Sequence, residues 1–411
     1  MSIKFRDAKK DESERDAIVS LMKYAYDEPP PALEHMKKWW ESTYKEHYIG
    51  EIDKNIVTAL RSLPFSQNIR GVFKPSAGIG MVATYPDVRR KGFTRNLMKY
   101  AFEKAKEAGI LTTSLTPFKD SFYSQFGYVN AKPAKFIELN PSWFRRWKTL
   151  PKGYTFKRMK IFEGVKELRE CQEHVVSQFN GGVKRFDARW EEMTKDWPHW
   201  LILVYNSKKE LEGAMTYGIK GYGNMLFGED NVGTMGRIRF YPKTIAAKHA
   251  LFHFVYLHSE QLVKANFPVL PHEDNFESWI VDHAKTEIKQ HIISMVRINI
   301  VETVFDDISV PDVDYEVYNE EISFEVQDPM CEWNNGILKL SEKDGKIQSK
   351  FYPNESVDTK IMIDGLSALL YGTMSVEEIE YFKWLKNISE EDKDLLSVWF
   401  PRREYYCTEF F

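Results

Sequence analysis

The residues best suited to chemistry lie in one run, Gly80-Met81-Val82-Ala83-Thr84-Tyr85-Pro86-Asp87-Val88-Arg89-Arg90-Lys91-Gly92-Phe93-Thr94. Arg89, Arg90 and Lys91 place three cations just ahead of Gly92, and the apolar periodicity beyond predicts a helix opening at Phe93. A helix start leaves three N–H groups without intrahelical acceptors, so this turn is suited to a pyrophosphate. Glycine at 92 lets the backbone approach the phosphate with no side chain in the way. A solvated basic turn before a surface helix is the alternative, and the short motif alone does not exclude it.

Several elements must hold this turn. Gly80 to Thr84 reads as a strand broken at Pro86, and Phe93, Leu97, Tyr100, Ala101 and Ala105 recur on one helical face, with Arg95, Lys99, Glu103 and Lys106 left in water. Gly109 stops that helix. Leu111 to Leu115 forms a short strand, and after Pro117 either Asp120 or Ser121 caps a short helix carrying Phe122, Tyr123 and Phe126. Gly127 ends it, and Tyr128-Val129 resume a strand.

That order, strand, phosphate turn, helix, strand and a short helix with a tyrosine, resembles the GCN5-related N-acetyltransferase (GNAT) fold. The resemblance implies acetyl-CoA as co-substrate. Its pyrophosphate would lie on Arg89, Arg90, Lys91, Gly92, Phe93 and Thr94, and its pantetheine arm between two splayed parallel strands, on backbone groups of Val82 and Thr84. Thr94 stands where the family pattern Gln/Arg-x-x-Gly-x-Gly/Ala has glycine or alanine. Phe122-Tyr123-Ser124-Gln125-Phe126-Gly127-Tyr128, the aromatic end Phe410-Phe411 and the chain length together resemble the enhanced intracellular survival (Eis) family. By that resemblance Tyr123 is a general acid and the terminal carboxylate of Phe411 a base.

The roles are chemically sound. An amine must be neutral before it attacks a thioester, so a group must take its proton, and the departing thiolate gains from a donor. A phenol near its ordinary pKa of about 10 is protonated at neutral pH, and an α-carboxyl near about 3.5 is ionised. Against this, most buried tyrosines serve packing, and most chain ends fray. An end reading Tyr405-Tyr406-Cys407-Thr408-Glu409-Phe410-Phe411 is too apolar to leave in solvent, which favours docking of the terminus. Trp39 and Trp40, on the second of two early helices, could line the acceptor cleft; for at least one of them core packing is the simpler expectation.

At 411 residues the chain exceeds one core. Three segments are expected: 1–148, a catalytic GNAT domain; 149–297, a degenerate GNAT-like domain; and 298–411, an α+β domain that resembles a sterol-carrier domain. The fold class is therefore α+β. In the first segment strands are expected at Tyr48–Ile52, Ile56–Leu63 and Ile69–Phe73. In the second, Tyr241-Pro242-Lys243-Thr244 replaces the cationic glycine turn, and a long helix follows through Ala250, Phe254, Leu257 and Leu262. In the third, alternation at Ile322, Phe324 and Val326, then Gly336–Leu340 and Ile361–Ile363, predicts antiparallel strands.

No apolar run is long enough to span a bilayer, the opening residues lack a signal-peptide core, and three scattered cysteines suit a reducing compartment, so a cytoplasmic protein is expected. A net charge of −3 argues against nucleic acid as a partner. The cysteines have no metal-ligand spacing, and of His249, His253 and His258 on one expected helix the last two lie on different faces, with no Glu at metalloprotease spacing, so no metal is expected. The resemblance implies a small-molecule amine or a lysine-bearing peptide as acceptor, aminoglycosides and polyamine-like compounds included, and a homo-oligomer as large as a hexamer. The rival readings are a longer-chain N-acyltransferase and a non-catalytic acyl-CoA or lipid-binding protein.

Overall fold

The structure, a computed structural model, describes residues 3–26, 30–195, 199–221, 233–270, 276–282, 287–292, 294–311, 321–353, 355–407 and 409. Contacts divide them into two units. One joins the described residues up to Ala131 with those of 293–403 and Glu409; the other joins those of 132–292 with those of 404–408. The units interleave along the chain, so they do not coincide with boundaries at 148 and 297.

In the first unit, β1 (Lys4–Asp7), β2 (His47–Ile52), β3 (Asn55–Ile69), β4 (Val72–Thr84), β5 (Thr112–Leu115) and β6 (Val129–Asn130) belong to one sheet. Strand Met295–Ile298 enters it between β5 and β6. β1 to β4 pair antiparallel. β3 and β4 are one long hairpin, and residues 69–73, expected as one strand, are divided by its two-residue turn: Ile69 ends β3, Val72 and Phe73 begin β4, and Arg70 and Gly71 between them both have positive φ, 52° and 92°, as a type I′ turn demands.

β4 and β5 are parallel, joined by α3 (Phe93–Glu107). α3 buries Phe93, Leu97, Met98, Ala101, Phe102 and Ala105. Tyr100, expected on that face, sits at its rim, where its hydroxyl donates to Asp7 at 2.8 Å. Helices α1 (Glu12–Tyr26) and α2 (Pro30–Thr43) precede β2, and α4 (Asp120–Ser124) follows β5.

The C-terminal part of this unit carries a sheet of Glu321–Gln327, Gly336–Lys343, Lys346–Pro353, Lys360–Met362 and Leu385–Lys386. Lys360–Met362 runs parallel to Glu321–Gln327, not antiparallel, because the chain crosses over to the far side of that strand after the 336–353 hairpin. Helices Ile363–Tyr371, Val376–Tyr381 and Glu390–Trp399 complete it, the second and third capped by the hydroxyls of Ser375 and Ser389.

The second unit repeats the first in order: strand Thr155–Lys160, helices Val165–Val176 and Asp187–Lys195, antiparallel strands Trp200–Tyr205, Leu211–Lys220 and Thr234–Pro242, helix Ile245–Tyr256, then strand Lys264–Val269 parallel to its predecessor. The helix stops at Tyr256, short of Leu257 and Leu262, because the chain turns at 257–261 to enter that strand. Strand Ala134–Leu139 pairs with Lys264–Val269, and Glu287–His291 forms the edge beyond it. The repeat reaches single residues. Gly80-Met81-Val82-Ala83-Thr84-Tyr85-Pro86 matches Gly236-Arg237-Ile238-Arg239-Phe240-Tyr241-Pro242, and Met81 (φ 53°) and Arg237 (φ 52°) form the same bulge against the neighbouring strand.

Candidate coenzyme and acyl-transfer site

β4 outlasts its parallel partner. The last pair with β5 is Ile79 with Leu115, whereas β4 continues to Thr84, so one edge of its final five residues faces no strand. The amide of Tyr85 donates to Val57 on β3, and by strand alternation the backbone groups of Val82 and Thr84 point to the open edge. Two side chains meet them there. The Tyr26 hydroxyl donates to the Val82 carbonyl at 2.8 Å, and Arg89 Nε donates to the Thr84 carbonyl at 2.9 Å.

The edge runs into the cationic turn. Gly92 takes φ 77° as the residue before α3, and a Cβ there would meet no protein atom within 4 Å, so the space in front of the turn is open. The first helical hydrogen bond runs from Asn96 N–H to Gly92 C=O, which leaves the amides of Phe93, Thr94 and Arg95 aimed outward. Thr94 fits this site: its hydroxyl lies 2.9 Å from that of Thr84, which is 2.7 Å from that of Thr58, tying the helix start to the strand end.

A cavity of about 680 Å³ opens along this edge. Val82, Thr84, Arg89, Arg90, Gly92, Phe93 and Thr94 line it, with Tyr26 at one side and Phe118, Phe122 and Phe126 opposite. Seven residues named from the sequence thus converge. Lys91, also in the turn, is exposed beside it.

Tyr123 packs behind the aromatic wall and does not itself line the cavity. It is 3% exposed and packs edge-on against Phe118, Phe122 and Tyr128, with centroids 5.6, 5.1 and 6.2 Å away. Burial raises its pKa, and the phenols of Tyr26 and Tyr128 add to the rise, so it holds its proton at neutral pH. Phe410 and Phe411 lie outside the described residues. Trp40 is the core member of the tryptophan pair, packed against Tyr44 and His47, and Trp39 is 7% exposed; neither lines the cavity.

The short helix bearing Tyr123 is held from behind by a buried ion pair. The side chains of Arg297 and Asp328 are both 0% exposed and 2.6 Å apart. Arg297 Nε donates to the Phe126 carbonyl at 2.7 Å, its guanidinium stacks 4.4 Å from Phe102, and a Cβ on Gly127 would come within 2.7 Å of Ile363. Burial works against its charge, yet Cys331 and Asp328 hold its pKa above the ordinary value. No local motif marks this pair, whose members are 31 residues apart and separated by segments of different character.

The second copy lacks the anion turn. Two residues, Lys243 and Thr244, separate Pro242 from the helix, and the Thr244 hydroxyl accepts from Ala247 N–H at 3.1 Å, filling the helix start from within. His249 and His253 of that helix and His258 just past its end bond to carbonyls, those of Thr149, Trp147 and Phe254, at 2.9, 2.9 and 3.0 Å. Among the described residues no group of three metal-ligating side chains occurs and no helix is long and apolar enough to cross a membrane.

Residues 4–131 match the family model of the acetyltransferase (GNAT) domain. The chain carries a GNAT acetyltransferase domain. That domain makes the chain an acyltransferase, GNAT domains use acyl-CoA, and residues 307–408 match the sterol carrier protein domain. Solved structures resemble the chain in fold over its whole length. A GCN5-related N-acetyltransferase from Anabaena variabilis superposes with a TM-score of 0.82 at 17% identity, one from Kribbella flavida with 0.81 at 16%, and Eis1 from Mycobacterium abscessus with 0.72 at 14%. Each comparison covers 100% of both chains, and at these identities the likeness is one of fold. No curated protein matches in sequence.

Proposed function

We propose that this acyltransferase is an Eis-like N-acetyltransferase that moves the acetyl group of acetyl-CoA to an amine. The open edge of β4, running without interruption into the Gly92 turn along one cavity, carries the reading. The amides of Phe93, Thr94 and Arg95, beside Arg89, Arg90 and Lys91, would hold the pyrophosphate. Backbone groups of Val82 and Thr84 would hold the pantetheine arm. The coenzyme supplies a thioester, an acyl group already activated toward nitrogen.

Tyr123 would protonate the leaving sulfur, and the carboxylate of Phe411 would accept the proton of the attacking amine. The protonated, buried state of Tyr123 supports the first role. Acceptors are proposed among aminoglycosides, polyamine-like compounds and lysine side chains, with Trp39 near the acceptor. A cytoplasmic homo-oligomer, up to a hexamer, and a division into a catalytic GNAT domain at 1–148, a degenerate GNAT-like domain at 149–297 and a sterol-carrier-like domain at 298–411 belong to the same proposal.

Thiol release from acetyl-CoA, followed with a thiol-reactive dye across a panel of amines, tests it. Tyr123→Phe should lower kcat by about 10²-fold or more while coenzyme binding stays unchanged, as expected for a lost general acid. Removal of Phe411 should do likewise. Full turnover in both variants would refute the proton scheme, and no release with any amine would refute the acetyltransferase reading.

A further inference from the structure

A backbone carbonyl on an unpaired strand edge needs a donor, and in this protein the Val82 carbonyl has one that does not belong to the sheet. Tyr26, the last residue of α1, is 42% exposed, lines the cavity and donates its hydroxyl to Val82 O at 2.8 Å. Its neighbour along the edge, Thr84 O, is bonded to Arg89, a member of the phosphate turn itself. The two contacts differ in kind. The Arg89 bond closes the turn from within, whereas the Tyr26 hydroxyl reaches in from another element across 56 residues of chain.

An extended ligand bearing secondary amides would lie along this edge as an added strand does, its N–H donating to the outward carbonyl. It would therefore need the acceptor that Tyr26 occupies. We infer that Tyr26 is a built-in competitor for the strand edge: its phenol occupies the place of a ligand amide at Val82 and must leave when an amide-bearing chain such as pantetheine is bound. The inference rests on the coenzyme reading above and adds to it a residue that lowers coenzyme affinity.

The sign is unusual, since removing a polar group from a binding cavity ordinarily weakens binding. Tyr26→Phe keeps the ring and deletes the hydroxyl that donates to Val82. Loss of one such hydrogen bond from the unbound state should tighten binding by about two- to tenfold. The gain should be confined to ligands that reach Val82. Isothermal titration of the full chain with coenzyme A, pantetheine and adenosine 3′,5′-bisphosphate reads both points.

The expected result is tighter binding of coenzyme A and pantetheine by Tyr26→Phe, with the bisphosphate unchanged and the melting temperature close to that of the parent. If the parent binds coenzyme A and the variant binds it equally or more weakly, Tyr26 is no competitor and the coenzyme reading survives. An equal gain for the bisphosphate would also overturn the inference, because that ligand does not carry the amides. If neither protein binds coenzyme A, the inference and the coenzyme reading fall together.

Discussion

Asp328→Ala should destabilise the first unit severely. The carboxylate accepts from Arg297 at 2.6 and 2.8 Å, from Met330 and Cys331 amides at 3.0 and 3.1 Å and from Asn334 Nδ2 at 2.8 Å, with no exposed surface. Removing one member of a buried pair strands the other charge, at about 3–5 kcal/mol. The orphaned amides add to that loss. For domains of about 150–250 residues, 1 kcal/mol moves Tm by about 2–4 °C, so the fall should be about 6–20 °C. Urea unfolding followed by tryptophan fluorescence measures the free energy, and calorimetry the temperature. The double variant Arg297→Met/Asp328→Leu removes both charges and should recover much of the loss, since apolar replacement of a whole buried pair is often neutral. A single variant that loses less than about 1 kcal/mol, or a double variant as unstable as the single, would refute this account of the pair.

Two further perturbations bear on the same unit. Gly92→Ala should cost about 1–2 kcal/mol of backbone strain at φ 77° with no protein clash, and should weaken coenzyme A binding by about tenfold as read by titration, since its methyl points into the open space before the turn. Asp364, at the start of helix Ile363–Tyr371, is pushed up to about 6 by burial. A carboxyl raised in the folded state favours folding below its unfolded pKa of about 4 and loses that contribution as pH rises through 6. Asp364→Asn should therefore raise the unfolding free energy from urea titration more at pH 8 than at pH 5, by up to about 2–3 kcal/mol at the higher pH. Equal shifts at both would show that Asp364 is not perturbed.

The anion turn was legible because its signals are local. A helix start, a glycine and three cations fall within a few residues, and the ends of α1 and Glu390–Trp399 are written in their own periodicity and caps. Pairing across distance was not. Met295-Val296-Arg297-Ile298 reads as a strand in any context, and its residues do not say which sheet receives it. Arg70-Gly71 carries a hairpin signal, but the hydrophobic run around it reads equally as a separate strand at 69–73. Tyr26 resembles any tyrosine at a helix end, and its meaning comes only from the carbonyl it meets 56 positions away. The repeat of Gly-x-Val/Ile-x-x-Tyr-Pro was present in the letters, but the bulge that gives it sense is a backbone angle.

The placement of Met295–Ile298 between β5 and β6 bears on how the molecule is made. A ribosome delivers β1 to β6 early, yet their sheet has a gap until nearly 300 residues have been translated. Through that interval the edges of β5 and β6 stay exposed, a condition that invites mispairing or chaperone capture. A fragment ending at Ala131 would keep that gap permanently, so neither limited proteolysis nor gene truncation should release a self-sufficient N-terminal enzyme.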